Sequence, residues 1–359
     1  MTLCIGIDAG KRKCVATLKH SDSRRILDQV TFMNSKQGIM ELIDHARRHS
    51  ESAVAVVEST GNYWIRIHDV LEENGVETLL ANPLETKAIA KARLKDDRVD
   101  SSILADLLRA DLVPESYVPD KKHRELRQLA RTRIDLVHSR TTFKEKVEAI
   151  MAKYEFTSPP VSDIFSAKGT AWLSSLEFSW VDRMAMDSYL AALETFNRQV
   201  ELFTVKIAPI CNEDDNARLL MTMPGVRFLT ALTILSEIVD VRRFPTPWKL
   251  VAYAGLAPSR RDSGERKRRG SITRQGSRWL RYAVVEAANT TIKHDERLGA
   301  FYRRIAERRG PQKARVATAR EMLVIMWHML TNKEPYRTMN VEMVKRKYKR
   351  MKWIAARSA

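Results

Sequence analysis

LCIGIDAGKRKCVATL, residues 3–18, decides how the first third of the chain is read. Its apolar residues alternate as in a strand, stop at Asp8-Ala9-Gly10, and alternate again from Cys14, the pattern of a β-hairpin with Asp8 in the middle of a sheet. Further on, SAVAVVESTGNYW (52–64) is a short Val-rich run of the buried-strand type. It delivers Glu58 at its carboxyl end, where open α/β sheets place their ligands. In KDDRVDSSILADLLRA (95–110), Asp97 and Asp100 open a helical stretch and share one helical face. Asp8, Glu58, Asp97 and Asp100 can therefore converge on Mg²⁺, a hard cation that prefers carboxylate oxygens. Lys95 and Arg98 flank the acids and are candidates for contacting a phosphate.

The remaining periodicities of residues 1–110 predict a third strand at 25–32, a helix at 36–48, a strand at 52–58, a helix at 63–73, a strand at 77–81 and helices at 84–92 and 97–109. A three-stranded meander followed by alternating helices and strands is the order of a ribonuclease-H-like domain. With that fold, the acids would serve phosphodiester cleavage.

The 359 residues leave room for two or three domains. No stretch reaches the roughly 20 apolar residues of a membrane span, and MTLCIGID lacks signal-peptide order, so a cytoplasmic, membrane-free protein is expected. Cys4, Cys14 and Cys211 have no metal-ligand or redox spacing, and the eight histidines are read as falling in none either. His123, His138 and His294 are expected in solvent. The net charge of +18 is local: residues 1–110 hold 16 basic and 16 acidic side chains, 111–258 hold 19 of each, and 259–359 hold 27 against 9. Such a surface attracts polyanions, and its aromatic interleaving (Trp279, Tyr282, Trp327, Trp353) favours nucleic acid over a membrane.

Leu129, Leu136, Phe143, Val147 and Ile150 recur at heptad-like spacing with Arg133 and Arg140 at seam positions, predicting a long helix over 120–154 with a polar seam. A second is predicted over 183–208, after the Pro/Ser-bearing connection 156–169. The pair reads as a helical hairpin or coiled coil, serving either internal packing or assembly. ARLLMTMPGVRFLTALTILSEIVD (217–240) reads as helix, Pro-Gly turn, helix, a helix-hairpin-helix-like element whose turn amides can hold a phosphate. The expected domains are 1–115, 116–212 and 213–359.

YAGLAPSRRDSGERKRRGSITRQGSRWLRYAVVEAA (253–288) carries nine basic and two acidic residues over 259–281. The basic residues Arg260, Arg261, Arg266, Lys267, Arg268, Arg269, Arg274, Arg278 and Arg281 are the candidate nucleic-acid contacts. Ser263 is expected in an irregular turn, where Gly264 lets another backbone approach; by itself a loop serine is ordinarily a turn residue.

The ordered set Asp8, Glu58, Asp97-x-x-Asp100, the PGV hairpin and YAGLAPSRRDSG…GSITRQGSRWLR resembles the insertion-sequence one-ten family of transposases, relatives of pilin-gene inverting recombinases, along essentially the whole chain. The family often has Thr before the third acid where this chain has Asp96; Asp97 keeps the D-x-x-D spacing, and Asp96 is its rival. The resemblance implies an α/β plus all-α architecture: a RuvC-like (ribonuclease-H-like) DEDD domain, a helical coiled-coil region and a helical transposase domain. It implies two Mg²⁺ ions on the four acids and Ser263 as the nucleophile that attacks DNA, with Ser259 and Ser271 as rivals. It further implies donor and target DNA, a structured non-coding guide (bridge) RNA, a homo-oligomer in which a dimer assembles to a tetramer, and a prokaryotic, nucleoid-associated location. Two other functions use the same features: a RuvC-like junction resolvase, which needs no serine, and a non-enzymatic nucleic-acid-binding assembly protein.

Overall fold

The computed structural model describes residues 2–59, 61–89, 96–155, 161–263 and 266–358, with backbone alone for 260–263, 266–269 and 358. Lys95, Gly264 and the end of the expected 84–92 helix lie outside the described residues. The chain divides into two compact units, Met1–Val118 and Pro119–Ala359.

The first unit runs β1 (Leu3–Asp8), β2 (Lys13–His20), β3 (Ile26–Met33), α1 (Lys36–Arg47), β4 (Ala53–Glu58), α2 (Tyr63–Glu73), β5 (Glu77–Ala81), α3 (Pro83–Ile89) and α4 (Asp97–Arg109). Its mixed sheet has the order β3-β2-β1-β4-β5, antiparallel through the first three strands and parallel from β1 to β5. Short turns join the antiparallel strands, and helices carry the chain between the parallel ones.

Strand alternation determines which residues meet which helix. Leu3, Ile5 and Ile7 of β1 and Ala55 and Val57 of β4 share a core with Ile39 and Leu42 of α1 and Ile67 and Leu71 of α2. The opposite parity, Gly6 in β1 and Val56 in β4, faces α4: Val56 packs with Leu104, and a Cβ at Gly6 would lie 2.1 Å from the Ser101 carbonyl oxygen and 2.3 Å from the Ala105 nitrogen. Glycine at position 6 is what lets α4 rest directly on the sheet.

The second unit is helical apart from one hairpin: α5 (Lys121–Met151), α6 (Ala167–Ser175), α7 (Trp180–Glu213), α8 (Asp215–Met221), α9 (Phe228–Ile238), α10 (Pro247–Tyr253), β6 (Pro258–Ser263), β7 (Arg266–Ile272), α11 (Arg278–His294), α12 (Glu296–Arg309), α13 (Pro311–Asn332) and α14 (Val341–Ala355). Helices α5 and α7 are antiparallel, as the pairs Arg133–Thr204 (2.8 Å), Arg140–Asn197 (3.2 Å) and Lys153–Asp182 (2.7 Å) require. The polar seam is thus paired in part between two helices of one chain. Helix α7 outruns the expected 183–208 because Pro209 does not stop it: the lost backbone bond is offset by burial of Ala208 and Cys211 in the main core. At the far end of the hairpin, Val147, Ile150, Leu173, Met186 and Leu193 form a separate small core.

Two buried features tie the unit together. Glu237, 1 % exposed, accepts from Arg131 at 2.7 Å and from the Ser277 hydroxyl at 3.0 Å, joining α9 to α5 and to the cap of α11. Gly225, with φ near +79°, lets the Pro-Gly turn lie against α11, where a Cβ would meet the Ala287 carbonyl oxygen at 2.2 Å and where Thr291 donates to the Pro224 carbonyl at 2.7 Å. The turn at this position is built for close packing.

Candidate active site

Asp8 ends β1 and Glu58 ends β4, neighbouring parallel strands in register one step earlier at Ile7 and Val57. Both have the parity of the α4-facing residues. Helix α4 is fixed above them by a buried Thr17–Ser101 hydroxyl contact of 2.8 Å and a Lys19–Asp106 ion pair of 2.8 Å, with the Lys19 side chain only 3 % exposed. Thr17 lies opposite Gly6 and Lys19 opposite Cys4, so from Ser101 to Asp106 the helix travels toward the start of β1, and its first turn reaches back to Asp8. That turn carries Asp97 and Asp100, acids favoured at a helix N-terminus by the macrodipole.

The four acids act on one another. Burial above all, then the charges of Asp97, Asp100 and Glu58 and a hydrogen bond with Asp97, push the Asp8 carboxyl up from 3.8 to about 6. Asp96 has a different occupation. It is the N-cap of α4, and its carboxylate accepts from the Arg98 N–H at 2.9 Å. A carboxyl whose ionised form is disfavoured by burial and by three neighbouring carboxylates is suited to a hard divalent cation, and an all-oxygen donor set fits Mg²⁺ chemistry.

Among the described residues, the one His/Cys/Asp/Glu group with all donor atoms within 4.8 Å of one another lies elsewhere: Asp28 on β3 with His45 on α1 and His49 in the turn that follows it. The four acids are spread more widely than that. His45 and His49 are four residues apart, and the turn that ends α1 keeps both beside Asp28, so the sequence reading that gave the histidines no ligand spacing is corrected. The Gln29 N–H and the His45 ring, 2.8 Å away, hold Asp28 below the usual carboxylate range, and the contact pins α1 to β3. His123 and His138 also have partners, the Asp120 carboxylate at 2.6 Å and the Tyr282 ring.

Residues 258–263 and 266–272, expected as an irregular turn, form two antiparallel strands that pair with each other. Ser263 ends β6 opposite Arg266; the register also sets Arg260 opposite Arg269 and Arg261 opposite Arg268. Of the rival serines, Ser259 has its hydroxyl over Gly270, at 2.3 Å from where a Cβ would stand, and Ser271 is exposed. Arg274 and Arg278 are exposed, and Arg278 lies over the Trp279 ring. Arg281 instead donates to the Ala254 carbonyl at 2.8 Å.

Sequence reasoning missed the positioning residues Gly6, Thr17, Lys19 and Ser101. Their signal was present: Ser101 and Ala105 are small residues one turn apart on the face that must approach Gly6.

Two family models match the chain, DEDD_Tnp_IS110 (a transposase model) over residues 5–156 and the transposase IS116/IS110/IS902 family over 217–303. The transposase for insertion sequence element IS1111A of Coxiella burnetii is 25% identical over 79% of this chain and 79% of its own length. The pilin gene-inverting protein of Moraxella bovis is 26% identical over 92% of this chain and 97% of its own. The protein is an enzyme of the transposase and recombinase class. It belongs to the IS110 family of transposases. No helix among the described residues is long and apolar enough to cross a membrane.

Proposed function

We propose that this chain cuts and rejoins DNA strands for a mobile insertion sequence, using a ribonuclease-H-like acidic site and Ser263 as nucleophile, on DNA selected by a structured non-coding RNA. The observation that carries the acidic half is the convergence on Asp8 of Glu58, Asp97 and Asp100 from two other elements. The sheet order, with a meander running into parallel strands and a helix across β1, supports the ribonuclease-H-like assignment.

Asp8, Glu58, Asp97 and Asp100 would hold divalent ions, Mg²⁺ in this reading. When bound, such ions supply charge stabilisation for the attacking and leaving oxygens of phosphoryl transfer. In the strand-transfer step the Ser263 oxygen bonds to phosphorus while one bridging P–O bond of the DNA breaks; the serine loses its proton and the released DNA hydroxyl gains one. Displacement of serine by a hydroxyl of another strand restores the phosphodiester. One ester replaces another, so no ATP is consumed.

The backbone register sets arginine positions opposite one another on β6 and β7, and this density of basic residues in the sequence supports the hairpin as the place where phosphate is gathered. The test is cleavage of a DNA substrate carrying the element's end, with its non-coding RNA and Mg²⁺. Asp97→Asn and Glu58→Gln proteins should bind and fail to cut, by at least about 100-fold; full activity in either sinks the metal-site assignment.

A further inference from the structure

The second unit contains a cavity of about 1270 Å³ that neither the acids nor the serine hairpin lines. It lies between α5, α7, the start of α9, α11 and α14. Its cations are Arg133 and Arg140 from the α5 seam, Arg227 before α9, Arg346, Lys347 and Arg350 from α14, and Arg357 beyond it. Two carboxylates line it, and both are engaged: Glu201 pairs with Arg357 at 2.6 Å and Glu342 with Lys345 at 3.0 Å. Six of the seven cations therefore gather in one concavity without an ion-pair partner lining it.

The cations are held in place, and they crowd one another. Lys347 donates to the carbonyls of Met221 and Met223 at 2.7 and 2.6 Å, and burial, then the charge of Arg227, brings its ammonium down to about 8. Arg133 is likewise lowered, by burial and then by the charge of Arg140. The buried Nε of Arg140 has no hydrogen-bond partner in the protein. Phe228, Leu229 and Thr230, the first turn of α9, face the same space, and the cap residue Arg227 makes no side-chain bond to their amides. Every one of these features favours negative charge.

The volume exceeds the roughly 300–1,000 Å³ of a small-molecule pocket. On α14, Arg346, Arg350 and Trp353 recur at helical spacing along one face, with Arg357 beyond the helix end over the Trp353 ring. Trp353 is 62 % exposed while lining the cavity, so one face of an indole is offered to a ligand. Cations that track a backbone beside an exposed aromatic platform are the features of single-strand binding, since duplex bases are not free to stack on a side chain.

We infer that this cleft is a second nucleic-acid site, separate from the 258–272 hairpin, that holds a single-stranded segment with its phosphates on Arg133, Arg140, Arg346 and Arg350 and a base stacked on Trp353. The inference rests on the nucleic-acid reading above. It also gives Arg133 and Arg140, which bond across the α5–α7 seam to Thr204 and Asn197, a use for their remaining N–H groups.

The test is fluorescence anisotropy of labelled oligouridylate, oligothymidylate and duplex DNA, each of roughly 16 residues, titrated with full-length protein at several salt concentrations. Arg346→Glu/Arg350→Glu should weaken single-strand binding at least about tenfold and lower the salt slope by about 1.4, two phosphates at about 0.7 each. Trp353→Ala should cost roughly tenfold with the salt slope unaltered. Lys349→Glu/Lys352→Glu makes the same charge change off the cleft and should have a much smaller effect. All four positions are exposed, as is Trp353, so folding should survive, which circular dichroism checks. Tighter binding of oligouridylate would mark the occupant as RNA, and of oligothymidylate as a DNA strand. Unaltered affinity in both cleft variants, an equal loss in the control, or a preference for duplex overturns the inference. Because the readout is binding, a cleavage-dead result for the acidic site leaves this test intact; loss of all binding through the hairpin alone overturns the cleft and spares the transposase assignment.

Discussion

Burial and three neighbouring acids disfavour the ionised form of Asp8, and this has a measurable consequence without any substrate. A carboxyl raised from 3.8 to about 6 contributes stability that is fully present below about pH 3.8 and is lost as the pH rises through about 6. In EDTA, Asp8→Asn should therefore raise Tm above pH 6, by roughly 2–4 °C per kcal/mol of relieved repulsion, and leave it unaltered near pH 3. Mg²⁺ should reverse the order at pH 7.5 by stabilising only the wild type. A less stable Asp8→Asn protein in EDTA at pH 7.5 would contradict the crowding of charge at this site. Gly6 is the second residue on which the site depends. Gly6→Ala forces α4 away from β1 and should cost about 1–3 kcal/mol, with a larger fractional loss of DNA cleavage, because Asp97 and Asp100 travel with the helix. Asp96→Asn should be mild by comparison, since asparagine also caps helices; an equal loss of cleavage would move the third acid to position 96.

At the scale of elements, the β6–β7 hairpin presents Ser263 at the end of a strand, beside the paired arginine positions. A nicked suicide substrate should trap a covalent protein–DNA adduct in Mg²⁺, and mass spectrometry of the digest should locate it at Ser263. An adduct at Ser259 or Ser271 would retain the chemistry and move the residue. Efficient strand exchange by Ser263→Ala with no adduct would remove serine from the mechanism. The α5–α9–α11 junction makes an independent test of stability. Glu237→Ala strips a buried partner from Arg131 and Ser277 and should lower stability by about 3 kcal/mol, read as a fall in Tm, with the α5–α7 hairpin retaining its helicity.

For the whole molecule, charge decides what is bound. The excess of basic residues lies in 259–359, so affinity for DNA should fall linearly in log K against log salt. Replacing Arg266, Lys267, Arg268 and Arg269 together with Ala should weaken binding across sequences and flatten that slope by about 0.9 for each duplex phosphate that is no longer neutralised. A salt-insensitive complex would assign recognition to groups other than these cations. The antiparallel α5–α7 pair bonds across its seam inside one chain.

The first unit was legible from sequence because its signals are local. Period-two alternation in 3–8, the Val-rich apolar run 53–58 and period-3.6 patterning in 97–109 dictate strands and helices whose order admits few sheet topologies. Chain parity alone places Asp8 and Glu58 at strand ends on one face. What only the tertiary structure decided is which helix covers that face and in what direction: that depends on Gly6 meeting Ser101 and Ala105, and Lys19 meeting Asp106, contacts between residues more than 80 positions apart that no window of sequence contains. The polar run 258–272 was opaque for a related reason, since a strand without an apolar face has no alternation to read and is revealed by its pairing alone. The cationic cleft is the extreme case. Arg133, Arg227 and Arg346 lie in three separate stretches, and a long-range fold is required before their like charges share one cavity.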